Sequence, residues 1–132
     1  MSTIQFANMF SSYSVDDLDK AYDFYTGVLG LDVTKESMGI LSLRVTPNAD
    51  AVMVYPKPDH QPAVFTVLNL GVADVDAAVD ALHARGVVFE QYDTGDIKTD
   101  AKGISRGEEG PEAMAWFKDP AGNIIAVLAA TE

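Results

Sequence analysis

The side chains that could hold a metal ion or move a proton are few in this chain. Its 132 residues include no Cys and two His, while 20 are Asp or Glu. His60 lies in the proline-rich stretch PKPDHQP, and His83 lies near the end of a helical stretch, on its polar side. Asp, Glu, His and Cys are all absent from four apolar stretches, residues 4–15, 51–58, 61–73 and 120–131. The sequence also shows neither a Ser-His-Asp arrangement nor a glycine-rich phosphate loop, so acid–base chemistry has few groups to use.

The elements that must position these side chains occur twice. SVDDLDKAYD, residues 14–23, and GVADVDAAVD, residues 71–80, share Val, Asp, Asp, Ala and Asp in register. Each stretch carries apolar residues at helical spacing, which predicts an amphipathic helix. Residues that begin and end helices flank both stretches: Asp16 or Asp17, Asp74, Gly30 and Gly86. The sequence therefore predicts two similar helices with defined ends.

Strand-like stretches surround both helices. In the first copy they are residues 7–15, 31–36, 40–45 and 51–56, and in the second 64–72, 87–92, 113–118 and 123–129. The order β-α-β-β-β, twice, predicts a single domain with module one at about 6–56, a linker at 57–62 and module two at about 63–130. Residues 93–112 are rich in Gly and charge, which predicts a long loop, either a lid or disordered.

The last two predicted strands are joined by DPAGN, residues 119–123. We expect Asp119 to accept hydrogen bonds from backbone amides, Pro120 to fix the turn and Gly122 to adopt a left-handed conformation. The flanking Lys118 and Asn123 are expected to be surface residues. This stretch is predicted to be structural and not catalytic.

Three motifs carry a resemblance to a known family: VDDLD at 15–19, FYTGVLGL at 24–31 and FKDPAGN at 117–123. Together with the repeat, they resemble the vicinal oxygen chelate superfamily, which includes glyoxalases, bleomycin resistance proteins and extradiol dioxygenases. The resemblance implies an α+β fold in which two β-α-β-β-β modules form a curved, barrel-like mixed sheet of eight strands around a cleft. It also implies a homodimer.

Metal-dependent members of that superfamily place His, Gln or Glu in the cleft from the first and last strands of each module. Alignment on the shared motifs puts Phe10, Met53, Val67 and Ala126 at these four positions. None of these side chains has the oxygen or nitrogen donor that such a metal requires. The sequence therefore predicts no metal and no cofactor.

Strand alternation predicts which other side chains share the faces of those four positions. With Arg44 as a cationic contact, the expected cleft-lining residues are Phe10, Ser12, Arg44, Met53, Tyr55, Val67, Asn69, Trp116, Ala126 and Leu128. This set is mostly apolar and aromatic, as in pockets that bind organic molecules. The alternative is that Phe10, Met53 and Val67 simply fill the core.

The favoured function is a metal-independent protein that binds a small, largely apolar or aromatic molecule, such as a sequestering or resistance-type protein. An alternative is a metal-free lyase or isomerase in which Tyr55, Arg44 or His60 polarises a substrate. A metal-dependent glyoxalase or dioxygenase is disfavoured by the four apolar positions. A fourth possibility is a fold that serves only as a dimer or partner surface.

Composition limits the partners. The formal net charge is −11 and no cluster of Lys or Arg occurs, so nucleic acid is not expected as a partner. No apolar stretch approaches the length of a membrane span, and the N-terminal residues do not read as a signal peptide. With no Cys to form a disulfide, we expect a cytoplasmic protein that has no membrane partner.

Overall fold

The computed structural model describes residues 4–107 and 112–130. The chain forms two compact units, Met1–His60 and Gln61–Glu132. Among the described residues, no helix has both the length and the apolar character needed to cross a bilayer. Whether the two units act as a single domain with a 57–62 linker stays a prediction, as does the cytoplasmic location.

The first unit is one β-α-β-β-β module. Its strands are β1 (Ser12–Val15), β2 (Asp32–Lys35), β3 (Leu41–Arg44) and β4 (Val52–Pro56). Helix α1 (Leu18–Asp23) continues into a π-helical turn, Phe24–Val28, and a 3-10 turn at Ser37–Gly39 joins β2 to β3. The sheet order is β1-β4-β3-β2, with β1 parallel to β4 and the remaining pairs antiparallel. The module therefore has the predicted order of elements.

One face of this sheet is the core of the first unit. Tyr13, Leu41 and Val54 alternate onto that face and are at most 8% exposed. The Tyr13 hydroxyl donates to the Tyr25 hydroxyl of the helical segment at 2.7 Å, so this face is the one that the helix covers. Strand alternation then leaves the opposite face for the side chains described below as the candidate site.

The second unit repeats the arrangement. Its elements are β5 (Thr66–Val72), α2 (Val75–Ala84), β6 (Ile104–Ser105), β7 (Met114–Lys118) and β8 (Ile124–Ala129). The sheet order β5-β8-β7-β6 matches that of the first unit. Its core contains the fully buried Phe117 and Ile125, together with Val79 and Leu82 of α2. The α+β class and the two predicted modules are confirmed, with the eight strands divided between two four-stranded sheets.

Both helices begin and end where the sequence predicts. Each of the carboxylates of Asp17 and Asp74 accepts a hydrogen bond from the backbone amide three residues later, at 3.1 and 3.0 Å. These bonds satisfy amides that have no helical partner. After the helices, Gly30 and Gly86 have φ of +70° and +91°, a region that glycine adopts without steric cost.

The DPAGN turn forms as predicted, with one correction. The Asp119 carboxylate accepts from the backbone amides of Ala121 and Asn123, and Gly122 has a φ of +86°. Asn123, however, is 2% exposed and is not the surface residue that the sequence suggested. Its side-chain amide donates to Asp119 at 3.1 Å, so the two buried polar groups satisfy each other.

The predicted strand at residues 87–92 is wrong. Within it only Phe89 forms a β-bridge, opposite Phe117. The strand that pairs with this edge of β7 is β6, which lies inside the predicted loop. Between these contacts the chain makes a small hairpin in which Thr99 N–H donates to Tyr92 C=O at 2.9 Å. The described part of the predicted loop is thus ordered by local hydrogen bonds, and residues 108–111 lie outside the described residues.

Candidate functional site

A pocket of about 470 Å³ lies on the face of the first sheet that the helix does not cover. Four of its lining residues come from β4, from β1 and from the chain just before β1: Phe10, Ser12, Met53 and Tyr55. Four others come from the turn between β2 and β3: Glu36, Ser37, Met38 and Ile40. The strand residues are among those predicted from alternation, whereas none of the turn residues was predicted.

The register of the strands explains how the first group meets. Ser12 and Met53 are direct partners in the parallel pair of β1 and β4, and Ser42 is the partner of Met53 on the other side. Tyr55 lies two residues further along β4 and so points to the same face, while Val54 between them is fully buried on the other. Phe10 is 60% exposed and therefore lines the pocket without filling a core.

The carboxylate of Glu36 lines the pocket and accepts a hydrogen bond that the sequence did not indicate. The hydroxyl of Ser42, which is fully buried, donates to Oε2 of Glu36 at 2.7 Å and lies 3.2 Å from Sδ of Met53. The backbone N–H of Glu36 donates to Ile40 C=O at 2.7 Å, which closes the turn. Glu36 is thus held at the pocket wall by hydrogen bonds of both its side chain and its backbone. Alternation along β3 could have identified Ser42, but no local signal identified Glu36.

The same turn holds a strained residue. Met38 has a φ of +65°, and it is the sole non-glycine residue with positive φ in the described part of the chain. Its side chain is 89% exposed, so burial of apolar surface does not compensate for the strain. A left-handed conformation costs a residue with a Cβ roughly 1–2 kcal/mol, and such residues concentrate at functional sites. The turn therefore presents a flexible apolar side chain at the pocket mouth.

The neighbouring part of the same face carries a Ser–His pair. Ser14 is the strand partner of Tyr55, and its Oγ lies 2.7 Å from Nδ1 of His60. Which of the two atoms donates depends on the imidazole tautomer. After β4, the Lys57 N–H donates a hydrogen bond to Val15 C=O, so the segment that contains His60 lies beside the end of β1. His60 is thereby placed on the site face, beside a tyrosine that lines the pocket.

Arg44 does not line this pocket. It lies at the end of β3, where its strand partner is Asp32. Register places Arg44 on the same sheet face as Ser42, two residues away along β3.

The predicted site residues of the second unit lie on one face of its own sheet. Asn69 and Trp116 are the partners of Ala126 on its two sides, and Leu128 pairs with Gly71 and Met114. Val67 lies at the register shift of β5, where the ladder is irregular. Ala126 and Trp116 are buried, while Asn69 is exposed.

Trp116 is covered by Tyr92 of the small hairpin, in an edge-to-face contact with ring centroids 5.4 Å apart. Burial, together with the nearby charge of Glu90, raises the pKa of Tyr92 above its usual value of 10.0. This tyrosine was not identified as a site residue from the sequence, because the hairpin that positions it was not predicted.

Two further pockets occur in the second unit. One, of about 300 Å³, lies between α2 and residues 88–102 and carries His83 and the ion pair of Asp80 with Lys102, at 2.9 Å. The other, of about 320 Å³, lies along the hairpin at residues 91–99. The first of these pockets combines the apolar side chains of Val79, Val88 and Phe89 with that ion pair, whereas the second is lined mainly by polar residues of the hairpin.

The four positions that the family resemblance assigns to metal ligands do not suit a metal ion. Phe10 and Met53 line the pocket of the first unit, and in the second unit Val67 and Ala126 present only hydrocarbon. Across residues 4–107 and 112–130, no three side chains of the His, Cys, Asp or Glu type are grouped so that they could share a metal ion. The donor set required for the superfamily's metal chemistry is missing from these positions.

Comparison with known proteins places this chain in a family. The family model described as Glyoxalase/Bleomycin resistance protein/Dioxygenase superfamily matches residues 7–127. A Vibrio cholerae serotype O1 protein named "Probable lactoylglutathione lyase" is 30% identical over 124 residues, which cover 86% of this chain and 83% of the relative.

Two solved structures from Streptomyces sp. CB03234 share the fold. A glyoxalase/bleomycin resistance protein is 26% identical with a TM-score of 0.61, covering 92% of this chain and 99% of that one. TnmS3, described as an antibiotic binding protein, is 24% identical with a TM-score of 0.62, covering 96% of this chain and 100% of that one. With a family model that spans nearly the whole chain, this protein belongs to the glyoxalase/bleomycin resistance protein/dioxygenase superfamily.

Proposed function

We propose that this protein binds a small, largely apolar or aromatic organic molecule without a metal ion, as a sequestering or resistance-type protein does. The observation that carries the proposal is the pocket of about 470 Å³ on the first sheet. Its volume falls in the range of small-molecule sites, and Phe10, Met38, Met53 and Tyr55 give it an apolar and aromatic wall. Thioether side chains adapt to ligands of irregular shape.

The polar groups of the pocket support binding and orientation of a ligand. Ser12, Ser37 and Glu36 supply a few hydrogen-bonding groups among apolar side chains, which is how small-molecule sites fix the pose of a ligand. The residues at the expected metal positions have no oxygen or nitrogen donors, so the proposal includes no metal-dependent step. The likeness of TnmS3, an antibiotic binding protein, concerns the fold and is compatible with a sequestering role.

A thermal-shift screen against small metabolites and antibiotics tests this function, because a ligand that binds only the native state raises the melting temperature. Phe10→Ala and Phe6→Ala form a matched pair for any hit. Both phenylalanines precede β1 and are exposed, by 60% and 86%, but only Phe10 lines the pocket. We expect Phe10→Ala to reduce the ligand-induced shift and Phe6→Ala to preserve it. A silent screen, or equal losses in both variants, would contradict binding in this pocket.

A second candidate function is a metal-free lyase or isomerase, and the contact between Ser14 and His60 favours it. His60 lies within hydrogen-bonding distance of a hydroxyl on the site face, and Tyr55 lies beside that hydroxyl. Such a set can transfer a proton to or from a bound substrate. The relative named "Probable lactoylglutathione lyase" suggests lactoylglutathione as the compound to test.

The matching experiment measures formation and breakdown of lactoylglutathione in the presence of a chelator. Activity that falls at least about a hundredfold in His60→Ala, and falls also in Tyr55→Phe, would support the enzyme. Equal activity in the wild type and both variants would remove these residues from catalysis. Absence of turnover would leave the binding function as the better account.

A homodimer also stays a proposal. Ile4, Phe6 and Met9 precede β1 and are 76%, 86% and 96% exposed, so an uncharged apolar segment is available to a second copy of the chain. Sedimentation equilibrium of the wild type and of Phe6→Ser tests this arrangement. A wild-type monomer at micromolar concentration would contradict it.

A further inference from the structure

The Glu36 carboxylate gives the first-unit pocket a charge, and no ion pair within residues 4–107 and 112–130 neutralises it. Ser42 engages Oε2 of Glu36, and among the described residues no hydrogen bond or ion pair involves Oε1. None of the described residues that line the pocket is Lys or Arg. The carboxylate is therefore held in a fixed position while retaining the capacity to accept another hydrogen bond.

The surroundings of Glu36 suit a cation with an apolar body. The aromatic rings of Phe10 and Tyr55 line the same pocket, and the faces of such rings attract cations. The sulfur of Met53 and the carboxylate both contact the Ser42 hydroxyl, so the apolar and charged walls of the pocket meet at Ser42. The formal net charge of −11 adds a mean field that favours the approach of cations over that of anions.

We propose that the ligand of this pocket carries a cationic nitrogen, which Glu36 binds through Oε1 while the apolar body of the ligand lies against Phe10, Met38, Met53 and Tyr55. The chemical class is an alkylamine, protonated at neutral pH, that carries an aromatic or alicyclic group. This inference rests on the proposed binding function and adds the sign of the ligand's charge. It also separates the two candidate functions, because the anionic lactoylglutathione would meet the negative charge of Glu36.

Three probes that share one apolar body and differ in the charge of the headgroup test the inference. They are 4-phenylbutylamine, a cation at neutral pH, the neutral 4-phenylbutan-1-ol and the anion 4-phenylbutanoate. Binding is followed through the methyl resonances of Met38 and Met53 in protein labelled with methyl-¹³C-methionine. The chain contains five Met, so single Met→Leu variants assign the two signals.

Glu36→Gln removes the charge and preserves an oxygen that can accept from Ser42. Asp50→Asn is the matched control, because it makes the same change in net charge at an exposed position that does not line the pocket. In the wild type we expect the amine to bind about threefold or more tightly than the alcohol, and the carboxylate to bind most weakly. Glu36→Gln should remove the advantage of the amine and leave the affinity for the alcohol unchanged, and Asp50→Asn should retain the advantage.

Two results would overturn the inference and leave the binding function intact: equal affinity of the wild type for amine and alcohol, or an unchanged preference for the amine in Glu36→Gln. If none of the three probes moved the Met38 or Met53 signals at millimolar concentration, the pocket itself would be the wrong site. That outcome would reject the proposed function together with the inference.

Discussion

Ser42 Oγ lies between Glu36 Oε2, at 2.7 Å, and Met53 Sδ, at 3.2 Å, in the centre of the first sheet. One buried hydroxyl thus connects the single carboxylate of the pocket to its apolar wall. The connection spans six residues along the chain to Glu36 and eleven to Met53. It makes the position of the carboxylate depend on a side chain that no solvent reaches.

Replacing this hydroxyl should loosen the turn. Ser42→Ala is expected to lower the free energy of unfolding by about 1 kcal/mol, since one hydrogen bond is lost and the exposed Glu36 carboxylate remains hydrated. Urea denaturation measures the change. Ser37→Ala, an exposed pocket residue, serves as the control and should unfold like the wild type. An unchanged midpoint in Ser42→Ala would show that the hydrogen bond does not stabilise the turn.

The strain at Met38 can be measured separately from its side chain. Met38→Gly and Met38→Ala both remove the thioether, but only glycine adopts a φ of +65° without steric cost. We expect Met38→Gly to be more stable than Met38→Ala by about 1 kcal/mol in urea denaturation. Both variants should bind the cationic probe equally weakly. Greater stability of the alanine variant would mean that the turn does not require a left-handed residue.

The strand residues and the turn residues of the pocket show what sequence reasoning could and could not predict about the site. Alternation along β1 and β4 correctly groups Phe10, Ser12, Met53 and Tyr55, because strand geometry has a fixed period of two. Glu36 reaches the same pocket from the turn after β2, which contains a methionine at positive φ. Local preferences do not anticipate that conformation, since they favour glycine there.

The same contrast applies to the fold. Asp17, Asp74, Gly30 and Gly86 mark the helix ends by local chemistry, and the structure confirms them. The position of the edge strand in the second sheet depends instead on which segment of the chain pairs with β7. Phe89 and Ile104 share that edge although they are fifteen positions apart in the chain, so a contiguous strand prediction fails.

The contact of Tyr92 with Trp116 should control the fluorescence of the protein, because Trp116 is the only tryptophan in the chain. Tyr92→Ala is expected to shift the emission to longer wavelength and to lower the free energy of unfolding by about 1 kcal/mol. Tyr92→Phe retains the ring and is the control, with the emission of the wild type. Unchanged emission and quenching in Tyr92→Ala would indicate that other residues bury Trp116.

Tyr92 should also make stability depend on alkaline pH. Because burial raises its pKa in the folded state, the unfolded chain releases this proton first once the pH exceeds about 10. The stabilising contribution is complete below that pH and is lost as the pH rises through the folded value. Compared with Tyr92→Phe, the wild type should therefore lose urea resistance above pH 10. Parallel losses in the two proteins would assign the effect to other groups.

The ion pair of Asp76 with Arg106 should contribute to stability at neutral pH and not in acid. One guanidinium nitrogen of Arg106 lies 2.8 and 3.0 Å from the two carboxylate oxygens, and hydrogen bonds from Arg106 and then Lys102 hold the pKa of Asp76 below its usual value of 3.8. A lowered pKa means that the contribution is present above the unfolded value and is lost as the pH falls through the folded one.

Arg106→Gln is therefore expected to reduce the urea midpoint slightly at pH 7, and the difference from the wild type should vanish well below pH 3.8 and in high salt. Lys98→Gln removes one positive charge without breaking a described ion pair, and it corrects for the change in net charge. If Arg106→Gln and Lys98→Gln had the same midpoint at pH 7, the link between α2 and the segment after β6 would contribute nothing beyond the general charge effect. A difference that persisted in acid would point to packing of the Arg106 side chain as its cause.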